Sequence, residues 1–100
     1  MSVIAQRLKE ARQRAGLSQE SLGIEAGLDP MSASTRMNRY ELGKRVPDLE
    51  LMERIATVLG VPAAFFYASD ASEAELLLKF HRLRKNQKEK VLGFVDELLL

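Results

Sequence analysis

Apolar residues recur along this chain at helical spacing. Ile4, Leu8, Ala11 and Ala15 fall at i, i+4, i+7 and i+11, the stripe of an amphipathic helix lying against a core. Gly16 ends that helix, and Leu17 turns back inward. Ser18 follows as an N-cap, its hydroxyl placed to accept a hydrogen bond from an orphan amide in the first turn of a helix carrying Leu22 and Ala26. Gly27 closes this second helix and Leu28 plugs the corner. Asp29-Pro30 is expected to start a third, an acidic cap before a proline whose fixed φ suits the first helical position. It runs to about Leu42, with Ala33, Met37 and Tyr40 on an inner stripe and Ser32, Thr35, Arg36 and Arg39 on the outer one. Such a helix has the shape and chemistry to enter a DNA major groove.

Pro47-Asp48 restarts the chain into a helix whose expected core face is Leu49, Met52, Ile55, Ala56 and Leu59, ended by Gly60. After Val61-Pro62, a short turn or helix holds Phe65, Phe66 and Tyr67. Phe65 is expected to close the core with the other two beside it, because stacking platforms belong to single-strand binders of different layout. Ser72-Glu73-Ala74-Glu75 and Asn86-Gln87-Lys88-Glu89 read as capping boxes for two final helices, about Glu73 to Lys85 and Gln87 to Leu100. The apolar face of the last (Val91, Leu92, Phe94, Val95, Leu98, Leu99) is too wide to bury within one small chain, and self-association is its natural outlet.

Leu17-Ser18-Gln19-Glu20, Ala26-Gly27-Leu28, Arg39-Tyr40-Glu41, Gly43-Lys44-Arg45 and Pro47 together resemble the helix-turn-helix domain of the lambdoid phage repressor and Cro superfamily, also called the xenobiotic-response-element family. The resemblance covers roughly Val3 to Phe66, and several separate signals in the right order make it more specific than a lone helix-turn-helix pattern. It implies an all-α fold, a five-helix lambda-repressor-like DNA-binding domain over 1–68, here followed by a C-terminal two-helix hairpin over 69–100 as the dimerisation element. It also implies that the third helix reads DNA, usually as a dimer on paired half-sites, and that Arg12 pairs with Glu41, tying the first helix to the end of the reading helix.

Two features depart from the family pattern. Between Gly27 and Gly43 the chain exceeds the common spacing by about four residues, close to one helical turn. With the register anchored on Arg39-Tyr40-Glu41 and Gly43, the family's base-reading positions carry over to Ser34, Thr35 and Arg39, with Arg36 and Asn38 beside them. Anchoring on Asp29-Pro30 would move them toward Met31 and Ser32; the first register is preferred, since Glu41, Gly43 and Pro47 are more specific than a cap. Ile24 also stands where the family is usually polar. An extra turn carrying Met31 would cover it; plain exposure is the other reading.

Composition narrows the picture. One hundred residues, 46% of them hydrophobic, suit a single small domain that gains from dimerisation. With no cysteine, disulfides and thiolate metal sites are excluded, which fits a reducing cytoplasm. No signal-like or membrane-spanning apolar run is present, so a cytoplasmic protein without membrane association is expected. A net charge of +1 argues little for nucleic acid, but its distribution does. Arg7, Lys9, Arg12 and Arg14 gather in the first helix against Glu10, and Arg36, Arg39, Lys44 and Arg45 gather around the reading helix. Asp48, Glu50 and Glu53 lie apart. Lys79, Arg82, Arg84, Lys85, Lys88 and Lys90 form the densest run, read as a solvated face or as a contact with DNA flanking a half-site.

The chemistry of each candidate contact follows. Arg39 can donate two parallel hydrogen bonds to guanine O6 and N7; Ser34 and Thr35 can bond several base edges or a phosphate; Arg36 suits either job. By resemblance Gln19 holds a phosphate, and Lys44 and Arg45 are placed for backbone contacts. Asn38 contacts DNA or is simply exposed. His81 stands alone, and no phosphate loop, nucleophile elbow or carboxylate pair is visible, so neither an enzyme nor a bound cofactor or metal is expected. The function implied is a bacterial or phage transcriptional regulator, most simply a repressor, acting as a homodimer on a pseudo-palindromic double-stranded operator. The alternative is a protein-interaction module of the same fold, such as an antitoxin-like partner.

Overall fold

The computed structural model describes residues 2–100. The order is α1 (Val3–Arg14), α2 (Gln19–Glu25), α3 (Ala33–Glu41), α4 (Leu49–Leu59), a 3₁₀ helix (Ala63–Tyr67), α5 (Ala71–His81) and α6 (Lys85–Leu98), with no strand among the described residues. None of these helices is long and apolar enough to cross a membrane.

Local signals explain most of the helix ends. The Ser18 hydroxyl accepts from Ser21 N and the Asp48 carboxylate from Leu51 N, as expected of N-caps. Gly43 closes α3 at φ +74°, a conformation a residue with Cβ rarely adopts. It lets Gly43 N and Lys44 N bond back to the carbonyls of Tyr40 and Arg39.

Three starts differ from expectation, each where a side chain bonds a nearby backbone amide other than the one expected. Asp29 begins a turn rather than α3: its carboxylate accepts from Met31 N (2.9 Å) and its carbonyl from Ser32 N (3.0 Å). A side chain bonded to the amide two residues on competes with the helical N-cap geometry, so the added residues lengthen the turn and α3 begins at Ala33. The cap of α5 is Asp70, whose carboxylate accepts from Glu73 N and from the Ser72 hydroxyl; these bonds, the hydroxyl's first, hold it below the usual carboxylate range. In α6, Gln87 reaches back to Arg84 N (3.0 Å), leaving Asn86 inside the helix.

The core is one cluster. Leu8, Leu22, Met37, Met52, Ile55, Phe65 and Phe66 are its largest fully buried side chains, each stabilising the fold by about 1.5–3 kcal/mol relative to exposure. The inner stripe of α3, Ala33, Met37 and Tyr40, is buried as read from the sequence. Elsewhere the stripes shift. Ala5 replaces Ala15 on α1, because Ala15 falls at the C-cap. Leu51 replaces Leu49 on α4, because Leu49 is the first helical residue and faces solvent. Phe66 is buried as completely as Phe65, which it meets edge-on at 5.7 Å, and Tyr67 is the exposed member. Met31 is 94% exposed and Ile24 40%, so the lengthened segment does not cover Ile24.

α5 joins the core through Ala74, whereas no residue of α6 is buried, and the chain extends to 52 × 27 × 22 Å. α2 meets α3 at a bare backbone: a Cβ added to Gly23 would lie 2.8 Å from Ala33 Cβ and 3.1 Å from Ala33 O. Gly23→Ala gains about 1 kcal/mol of helix propensity, but overpacking against rigid neighbours costs about 1–3 kcal/mol. A net loss of stability and a lower Tm are expected by thermal denaturation; a Tm unchanged or raised would contradict this close approach.

Candidate nucleic-acid interface

The position of α3 is set by one carboxylate. Glu41, at the end of α3, is 4% exposed, and Arg12 of α1 donates to it twice, Nε to Oε2 at 2.6 Å and Nη2 to Oε1 at 3.0 Å. The third arm of Arg12, Nη1, donates to Leu17 O at 2.8 Å, so the guanidinium also fixes the α1–α2 connection. Hydrogen bonding to Glu41 holds Arg12 above its ordinary pKa, with the attraction of the charges adding and burial opposing. The pair that the family resemblance implied is therefore present and bidentate, its carboxylate buried and its guanidinium largely so.

Gln19, the first residue of α2, joins the same centre. Its Nε2 donates to Glu41 Oε1 and to Asn38 Oδ1, each at 3.2 Å. Both amide hydrogens are thus used within the protein, and Gln19 is half-buried; its direct role here is to brace α2 against α3. The sequence reading placed this amide outward, on a phosphate by resemblance, and nothing in its spacing showed that the carboxylate would claim it.

Away from this lock, Ser34, Thr35, Arg36, Asn38 and Arg39 are exposed on α3, and Lys44 and Arg45 are exposed in the loop that follows. Arg36 is held in place: Nη2 donates to Tyr40 Oη at 2.9 Å and its guanidinium carbon lies 6.0 Å from the Tyr40 ring centroid. Arg36, Arg39, Tyr40 and Arg45 surround a shallow hollow of about 160 Å³. Among the described residues no carboxylate forms an ion pair with Arg36, Arg39, Lys44 or Arg45. Cations this close without counter-charges suit an anionic partner or guanine edges.

Two of the four basic residues of α1 do different work from the segregated surface read in the sequence. Arg7 Nε donates to Ala68 O at 3.0 Å beside the Phe65 ring, and Arg12 is spent on Glu41. Arg54, which sequence reading passed over, donates to Ala26 O at 2.7 Å and so satisfies the end of α2. Gly23 was also missed, although a glycine inside a seven-residue helix is a signal of close approach.

A family model described as a helix-turn-helix domain matches residues 3–64. The chain belongs to this helix-turn-helix family. Among solved structures, one described as the crystal structure of the transcriptional regulator BswR is similar at 43% identity with a TM-score of 0.88, over 95% of this chain and 94% of that one. No curated protein matches the chain. The family's match spans α1 to the start of the 3₁₀ helix, and so contains the Arg12–Glu41 lock and every exposed cation around α3.

Removing one partner of a buried ion pair leaves the other uncompensated. Arg12→Ala with Glu41 retained is expected to cost about 3 kcal/mol and to lower Tm by more than about 10 °C in a domain this size. Arg12→Met combined with Glu41→Met should recover much of that loss. Thermal denaturation of the three proteins checks this, and an unchanged Tm in Arg12→Ala would show that the lock does not hold the domain together.

Proposed function

We propose that the chain is a DNA-binding transcriptional regulator that inserts α3 into the major groove of double-stranded DNA. The observation that carries this reading is the exposed side of α3 and its following loop: four cations without carboxylate partners, on a helix fixed from behind by Met37, Tyr40 and the Glu41 lock. Membership of the helix-turn-helix family and the likeness to BswR, itself a transcriptional regulator, support it.

Arg39 is the principal specificity residue, donating to guanine O6 and N7, with Ser34 and Thr35 at neighbouring base edges. Lys44 and Arg45 hold phosphates. Arg36, already tethered to Tyr40, is preset for a phosphate beside them. Asn38 accepts from Gln19 at Oδ1, which leaves its NH₂ to donate to DNA. Gln19 acts through Asn38 and Glu41, in place of the phosphate contact the resemblance implied. Residues 69–100 serve as a dimerisation element for the domain at 1–68, and the homodimer binds a pseudo-palindromic operator with half-sites about 34–36 Å apart. In the cytoplasm it represses by occluding a promoter.

Fluorescence anisotropy with random and with selected duplexes tests this. Binding to random duplex should fall steeply with salt, and Lys44→Ala should flatten the log–log slope by about 0.9. On a selected operator Arg39→Ala should lose about 5- to 150-fold in affinity, the equivalent of about 1–3 kcal/mol, while random duplex loses much less. Binding indifferent to salt, or no binding to duplex at all, contradicts the reading.

A further inference from the structure

Two surfaces of this chain lack partners within it, and their chemistry matches. The first is a groove between α1, the 3₁₀ helix and α5, a space of about 430 Å³ with Phe65, Ala74 and Leu78 beneath and Arg7, Arg14, Lys79 and Arg82 among its walls. It adjoins a smaller hollow of about 100 Å³ that shares Arg14, Leu78 and Arg82 and reaches Leu59 and Val61. The carboxylates in the wall, Glu10 and Glu75, are already engaged by Arg7, Arg14 and Lys79, whereas Arg82 has no carboxylate partner among the described residues. The second surface is α6. Phe94 and Leu98 are 60% and 69% exposed on one face of the helix, and Glu97 on the flank of that face forms no ion pair among the described residues. No residue of α6 lines the groove in its own chain.

We infer that α6 of a second copy of this chain fills the groove between α1 and α5, seating Phe94 and Leu98 against Leu78 and bringing Glu97, on the flank of that apolar face, to Arg82. This inference rests on the homodimer of the proposed function and specifies how it is built. Glu97 meets the cationic wall at Arg82, and the exposed apolar face of α6 leaves water against the half-buried Leu78. Each chain carries both a groove and a helix, so the exchange is reciprocal and closes as a two-fold dimer. Helical spacing puts Arg7, Glu10 and Arg14 on the side of α1 opposite Arg12, so a partner seated there leaves α3 free.

Sedimentation velocity on the full chain tests this with Arg82→Glu, Glu97→Arg and their combination. Each single reversal should raise the dimer dissociation constant by at least about tenfold, and the pair should restore it to within about threefold of the original. The chain has no cysteine, so Leu78→Cys and Leu98→Cys proteins, purified separately and mixed under oxidation, report the same contact by a mixed disulfide. Dimers indifferent to both reversals, reversals that do not rescue each other, or intact dimers that form no mixed disulfide overturn the groove while leaving the dimer reading in place. An unmodified protein that stays monomeric at high micromolar concentration overturns both.

Discussion

A single buried carboxylate organises the half of this protein that carries α3 and its exposed cations. Glu41 receives both arms of the Arg12 fork and the amide of Gln19, so one residue ties α3 to α1 and α2. Such a pair contributes less to stability than its short distances suggest, because desolvating two charges opposes their attraction. Its value is directional. A planar guanidinium matched to a carboxylate tolerates one arrangement of the two helices, and its third arm extends that constraint to Leu17. With Gly23 allowing α2 to lie almost against Ala33, the angle of α3 is set by contacts that do not adapt easily.

The consequence is a division of labour among cations. Arg7, Arg12 and Arg54 are fasteners, each spent on a carbonyl or a carboxylate of the protein itself. Among the described residues Arg36, Arg39, Lys44 and Arg45 have no carboxylate to neutralise them, and their mutual repulsion is tolerated because α3 and the loop after it are held from behind. A near-neutral chain can thus carry a cationic face, and nearly neutral net charge is no argument against nucleic acid where the charges are sorted by position. Asn38 and Gln19 connect the two sets, since the amide bonded to Glu41 also orients the amide beside the arginines.

Helix order and class, the inner stripe of α3 and the Arg12–Glu41 pair were legible in the sequence, because periodic apolar positions, glycine stops and a specific motif all pointed the same way. Helix starts were less so. Asp29, Asp70 and Gln87 each changed a boundary through a bond to a nearby amide, a competition that spacing alone does not decide. The positions of Ala15 and Leu49 at helix ends, where the stripe no longer faces the core, explain the misplaced core residues. The fate of individual arginines was least legible, because donating to a carbonyl 61 residues away, as Arg7 does, leaves no local trace.

The central claim is that the outward side of α3 touches base edges while the lock holds it in place. Amide and side-chain NMR shifts of isotopically labelled protein, titrated with a duplex it selects, test this most directly. The largest changes are expected at Ser34, Thr35 and Arg39, with protein-to-base NOEs from those residues and the Arg12 and Glu41 signals nearly still. Changes concentrated on α5 or α6, with α3 unmoved, would contradict it.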